Sequence, residues 1–135
     1  MKTVIIDGQG GRLGSLITEA VLKNGTPTDI YAIGTNGIAT AAMLKAGAHY
    51  GATGENPVIV ACRDADVIIG PVGMLSADSL LGEITPAMAV AIGQSRAVKL
   101  ILPVSHCNNQ VIGVKEMSMA ELVKETAERL KTLCR

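Results

Sequence analysis

Thr3 to Gly14, TVIIDGQGGRLG, is the stretch whose reading decides the fold. An apolar run, Val4-Ile5-Ile6, passes at once into Gly8, Gly10, Gly11 and Gly14, and an amphipathic run follows from Leu13 to Val21. Strand, glycine turn and helix in that order open a nucleotide-binding βαβ unit. Each glycine has an expected job. Gly8 turns the chain sharply off the strand. Gly10 and Gly11 clear side chains from where a phosphate would meet the backbone. Gly14 lets the helix pack close to the sheet. The N-terminus of that helix offers unpaired N–H groups and a partial positive charge to an anion.

The rest of the composition agrees with such a unit. The 135 residues form one expected domain, 1–135, large enough to bury a core. With no Phe or Trp, and only Tyr31 and Tyr50, that core must be built from Val, Ile, Leu, Ala and Met. Small and β-branched residues suit parallel strands covered on both faces by helices. A formal net charge of zero without a basic block argues against nucleic acid, as does the scarcity of aromatic rings for base stacking. Cys62, Cys107 and Cys134 are too widely spaced for a CxxC pair and read as reduced thiols of a cytoplasmic protein. The chain runs straight into a strand with no room for a signal peptide, and no apolar run reaches membrane-spanning length.

Along the chain, the first helix spans about Leu13 to Lys23 and stops at Asn24-Gly25. Ile30 to Ile33 is the second strand, and Asn36 caps a helix running to Gly47. A very short third strand falls near Ala48 to Tyr50. Gly51 to Glu55 reads as a loop, with Asn56-Pro57 as cap and first residue of the next helix. Asp66 to Gly70, closed by Pro71, is the fourth strand. Ser76 to Leu81 reads as a short helix ending at Gly82, and Thr85-Pro86 starts a helix to about Gly93. Val98 to Val104 is the fifth strand, and Val111 to Val114 is a candidate sixth. Ser118-x-x-Glu121 fits a capping box, followed by a helix with Ala120, Val123, Ala127 and Leu130 on one stripe. The expected fold class is therefore α/β: a Rossmann-like, doubly wound, mainly parallel sheet of five or six strands flanked by helices. Its expected strand order is 3-2-1-4-5.

Ligands of such sheets bind at the carboxyl ends of the strands, where the order reverses. That gathers the expected cofactor-binding residues Gly8, Gln9, Gly10, Gly11, Arg12, Leu13, Thr35, Asn36, Gly70 and Pro71 on one rim. GQGGRLG resembles the turns of NAD(P)-dependent reductases, and the resemblance implies that Arg12 lies beside a phosphate. Asp66 to Pro71 is similar to the fourth strand of many dehydrogenase domains, which implies that Gly70 lets a cofactor approach. Two features depart from that pattern. The acidic residue expected after the second strand to hold ribose hydroxyls is replaced by Gly34-Thr35-Asn36. Asp7 puts a carboxylate next to the turn, which would repel a pyrophosphate unless turn N–H groups or a cation hold it. The loop Gly51 to Asn56 is a second candidate anion site, with Asn56 as a simple cap the plainer alternative. His106 and Cys107 are the candidate catalytic residues, as acid or base and as nucleophile. As neighbours on extended chain they point opposite ways and do not pair by themselves. No spacing supports a metal site, and neither tyrosine has the Lys partner that short-chain dehydrogenases need.

Beyond the glycine turn, VIIDGQGG, GTN with ATAAMLKAGA, GATGEN, CRDADVIIGP and LGEITPAMA resemble, over nearly the whole chain, a small bacterial family with a domain of unknown function. The resemblance implies a cytosolic Rossmann-like domain without an established activity. The resulting expectation is a protein that binds or senses NAD(P) or another nucleotide, with a homodimer as the expected assembly, using the C-terminal helix and Met74, Leu75 and Met88. An enzyme with its site shared across a homo-oligomer interface and a scaffold without ligand are the alternatives.

Overall fold

The computed structural model describes residues 1–104 and 108–134. In chain order the elements are β1 (Lys2–Asp7), α1 (Arg12–Lys23), β2 (Asp29–Gly34), α2 (Gly37–Lys45), β3 (Tyr50–Thr53), α3 (Glu55–Arg63), β4 (Val67–Pro71), a 3₁₀ turn (Val72–Leu75), α4 (Pro86–Gln94), β5 (Val98–Leu102) and α5 (Met119–Leu133). The sheet is ordered β3-β2-β1-β4-β5, and every pairing is parallel. The order reverses between β1 and β4, and the crevice above such a switch point is where sheets of this kind hold their ligands.

Strand β1 is central and buried on both faces. Val4 and Ile6 join Val58, Ile68, Ile84, Met88 and Ile92 in the layer under α3 and α4. Ile5 points the other way, into the layer of Leu13, Ile17, Met43, Val123 and Leu130 under α1, α2 and α5. This period-two division of one apolar run is what a sheet covered on both sides demands. The core holds no aromatic ring. Tyr31 and Tyr50 instead stack on each other across β2 and β3 with centroids 4.7 Å apart.

Most of the helix signals hold. Asn36 accepts from the Ala39 N–H at 2.9 Å, Thr85 caps α4 with Pro86 at its start, and Ser118 and Glu121 form the reciprocal capping box of α5. Elsewhere the structure corrects the sequence reading. Strand β3 lies over Tyr50–Thr53, two to three residues beyond the expected place, because Thr53 still pairs with Gly34. Gly54, at φ 105°, then turns the chain straight into α3. Asn56 therefore lies inside that helix rather than capping it, and Pro57 sits in the first turn, where its missing N–H is no loss. Strand β5 ends at Leu102, since Pro103 cannot donate to the ladder. No sixth strand forms over 111–114; Val111, Ile112 and Val114 are exposed, Ile112 to 91%. Ala120 is exposed, and the buried stripe of α5 is Val123, Thr126, Ala127 and Leu130. Met74 and Met88 are core residues at 0% and 2% exposure, so of the methionines and leucine expected at an interface only Leu75 reaches the surface.

The largest departure is residues 76–84. No helix forms there; the chain coils as a strap with Asp78, Leu80 and Leu81 at positive φ, followed by Gly82 at 87°. A left-handed residue with a side chain costs roughly 1–2 kcal/mol. The strap is held nonetheless. Leu80 and Ile84 plunge into the core, the Ser79 hydroxyl donates to the Gly73 carbonyl, and the Asp78 N–H donates to the Ile84 carbonyl at 2.7 Å.

Candidate functional site

The glycine turn sits at the carboxyl end of β1, and its amides fall into three groups. Asp7 takes the first. One carboxylate oxygen accepts from the Gly8 N–H at 2.8 Å, and the other reaches across the turn to the Gly14 N–H at 2.7 Å. Asp7 is 7% exposed. Its burial pushes the carboxyl above its ordinary value, against the two amides that favour the charge, and the nearby Glu83 carboxylate pushes the same way. Asp7 is thus a brace of the turn and uses two amides that an anion would otherwise want. Gly11 N–H donates to the Gly8 carbonyl at 2.9 Å, and Gln9 N–H to Glu83 at 2.9 Å.

The amides of Gly10, Arg12 and Leu13 are left without a hydrogen-bond partner among the described residues. All three residues line a hollow of about 170 Å³, whose other walls include Asp7, Gln9, Val104 and Met119. Arg12 and Leu13 open α1, a helix with no side-chain cap and no acidic residue in its first turn. The positive end of its dipole is met by the Asp7 carboxylate through the Gly14 N–H, which leaves the Arg12 and Leu13 amides open. Arg12 is exposed at the mouth. A hollow of this size is smaller than the roughly 300–1,000 Å³ of sites that enclose a drug-sized ligand. It has the size for one small group only.

The glycines divide differently from the sequence reading. A Cβ on Gly10, which is exposed, would meet nothing within 4 Å. Gly11 serves packing instead: at φ 71° its Cβ would lie 2.7 Å from the Cα of Ala39 in α2. A Cβ on Gly8 would meet the Thr35 hydroxyl at 2.6 Å and Glu83 at 2.9 Å, so Gly8 makes room for neighbouring chain as well as for the turn. Gly14 packs against Met43 and Asp7. Gly70 is packed close, since its Cβ would meet Met74 and the Ile6 carbonyl, the latter at 2.7 Å. Pro71 is buried beside it, paired with Leu102. Neither residue lines the hollow.

Thr35 and Asn36 do stand on the rim, and both are engaged by a residue that the sequence reading missed. One oxygen of Glu83, on the strap, accepts from the Thr35 hydroxyl at 2.6 Å, the Asn36 side-chain amide at 2.8 Å and the Gln9 N–H. Asn36 also donates to the Gln9 carbonyl at 2.9 Å. Burial would raise the Glu83 carboxyl, but the three donors together hold it below its ordinary value. No spacing signal links Glu83 to Gly8; only the left-handed course of the strap brings them together.

His106 and Cys107 lie outside the described residues. Cys62 is a buried thiol of the α3 layer, pushed up to about 11 by burial despite Lys99 and Lys2 nearby, which keeps it an unreactive packing group. Among the described residues no three His, Cys, Asp or Glu side chains gather to hold a metal ion, and no helix is long and apolar enough to cross a membrane. A larger concavity of about 460 Å³ between β5 and α5 is lined by residues such as Leu100, Leu102 and Leu122 and includes none of the expected cofactor-binding residues.

A parallel sheet ordered β3-β2-β1-β4-β5, with a glycine turn leading into the first helix at its switch point, defines a Rossmann-like α/β protein. The family model described as Domain of unknown function (DUF3842) matches residues 2–135, and the chain belongs to that family. Among curated proteins no match was found. Among solved structures, a dodecameric FMN-dependent UbiX-like decarboxylase from Escherichia coli O157:H7 is similar at 12% identity, over 96% of this chain and 76% of that one, with a TM-score of 0.48. A likeness at that level carries no inference about ligand or assembly.

Proposed function

We propose that this protein binds a phosphorylated small molecule of the nucleotide class, with one phosphate seated on the amides of Gly10, Arg12 and Leu13. A single observation carries the reading: three unpartnered amides, at the start of a 12-residue helix, line one open hollow beside a glycine whose side-chain direction is empty. Backbone N–H groups at a helix N-terminus suit phosphate because they supply donors and a favourable dipole together. Arg12 adds a mobile cation at the mouth, able to hold a phosphate by paired N–H donors. The role is binding or sensing. A dinucleotide of the NAD(P) kind is disfavoured by the hollow's size and by the Asp7 carboxylate in its wall, which repels a second phosphate. The single domain and the cytoplasmic setting belong to the same reading.

Gly10→Asp is the variant that tests it. A Cβ there meets nothing within 4 Å and the backbone of residue 10 needs no left-handed conformation, so stability should change by less than about 0.5–1 kcal/mol. A carboxylate at the hollow should remove the melting-temperature rise that millimolar inorganic phosphate or adenosine 5′-monophosphate gives the unaltered protein by mass action. A flat response of the unaltered protein to both probes would leave the scaffold reading in its place.

A further inference from the structure

We propose that Glu83 forms the sugar half of the same site, beside the hollow: its second oxygen accepts from the hydroxyls of an unsubstituted ribose and turns away a 2′-phosphate. This rests on the phosphate reading above and specifies its ligand. A ribose-binding carboxylate is expected after β2, where this chain has Thr35 and Asn36. The strap delivers a carboxylate to that same place from a different part of the chain. One Glu83 oxygen is bonded to Thr35, Asn36 and the Gln9 N–H, at the carboxyl ends of β1 and β2. It lies 2.9 Å from where a Gly8 Cβ would stand, beside the turn that carries the phosphate amides.

The hydrogen bonding leaves an acceptor for a sugar. With one oxygen saturated by three protein donors, the other carries no hydrogen bond among the described residues. An ionised carboxylate only accepts. Its open oxygen therefore complements hydroxyl donors and repels a second phosphate. The group is also fixed before any ligand arrives. Leu80 and Ile84 anchor the strap in the core on either side of it, and the Glu83 N–H donates to the Leu80 carbonyl at 3.1 Å. A pre-positioned acceptor favours binding because no side-chain freedom is lost when the sugar docks.

Calorimetric titration with inorganic phosphate, adenosine 5′-monophosphate, its 2′-deoxy analogue and adenosine 2′,5′-bisphosphate tests the assignment. The unaltered protein should prefer the ribonucleotide to the deoxynucleotide by about tenfold, the worth of one hydrogen bond to a charged group, and should bind the bisphosphate more weakly than the monophosphate. Glu83→Gln, which keeps the shape, should bring the ribo-to-deoxy ratio close to one and restore the bisphosphate. Equal affinities for ribo- and deoxynucleotide in the unaltered protein, a comparison that needs no variant, would overturn the proposal while the phosphate site stood. Tightening of every probe by Glu83→Gln with the ratio unmoved would overturn it too and make Glu83 a plug. Failure of the unaltered protein to bind any probe, inorganic phosphate included, would remove the phosphate reading itself and this inference with it.

Discussion

Gly11→Val should destabilise the protein by about 2–5 kcal/mol, read as a fall in the urea midpoint with an unchanged slope. Two independent costs add. At φ 71° the backbone of residue 11 is left-handed, a conformation that a β-branched side chain resists. The new Cβ would also lie 2.7 Å from the Cα and 2.8 Å from the carbonyl oxygen of Ala39. Those are backbone atoms in α2 and cannot turn aside as a side chain would. Loss of ligand binding in any Gly11 variant would therefore report a displaced helix rather than a blocked phosphate. A Gly11→Val protein as stable as the original would mean that α1 and α2 are not packed through this glycine.

Asp7→Ala should cost about 2–4 kcal/mol in the same measurement, because two buried amide donors, Gly8 and Gly14, lose their acceptor. The relief of removing a buried charge offsets part of this. The offset has a pH signature. Because burial raises the Asp7 carboxyl above 3.8, the folded state binds its proton more readily than the unfolded chain does. The stability gained from that proton is fully present below the unfolded value and is lost as pH rises through the folded one. Compared with Asp7→Asn, which cannot titrate, the unaltered protein should therefore gain relative stability as pH is lowered from 7 towards 4. A difference that stays flat across that range would contradict the raised carboxyl.

Much of the fold was legible because its signals are local. Val4 to Ile6 is too uniformly apolar for a half-exposed strand, and Ser118 and Glu121 lie within one helical turn, so each could be read without knowing the rest. The misplaced elements each turn on a contact distant in sequence. Strand β3 extends to Thr53 because Gly34 waits across the ladder. The 76–84 segment lacks helical form because Leu80 and Ile84 seek the core from a coiled chain, which no periodicity encodes. The candidate site shows the same division. Gly10, Arg12 and Leu13 could be named from the turn alone, and the sharing of its amides with Asp7 was one of two readings open in the sequence. Glu83 could not be named, since it lies 74 positions from the Gln9 amide it accepts from. Gly70 looked available to a ligand only because Met74 and the Ile6 carbonyl, which fill the space beside it, come from the next turn and the next strand.

The division of the turn amides between Asp7 and an incoming anion is most directly tested by following backbone ¹⁵N–¹H resonances during titration with adenosine 5′-monophosphate. The Gly10, Arg12 and Leu13 amides should shift progressively and saturably, while Gly8 and Gly14, held by Asp7, move far less. Shifts confined to Gly8 and Gly14, or none anywhere in the turn at millimolar nucleotide, would contradict it.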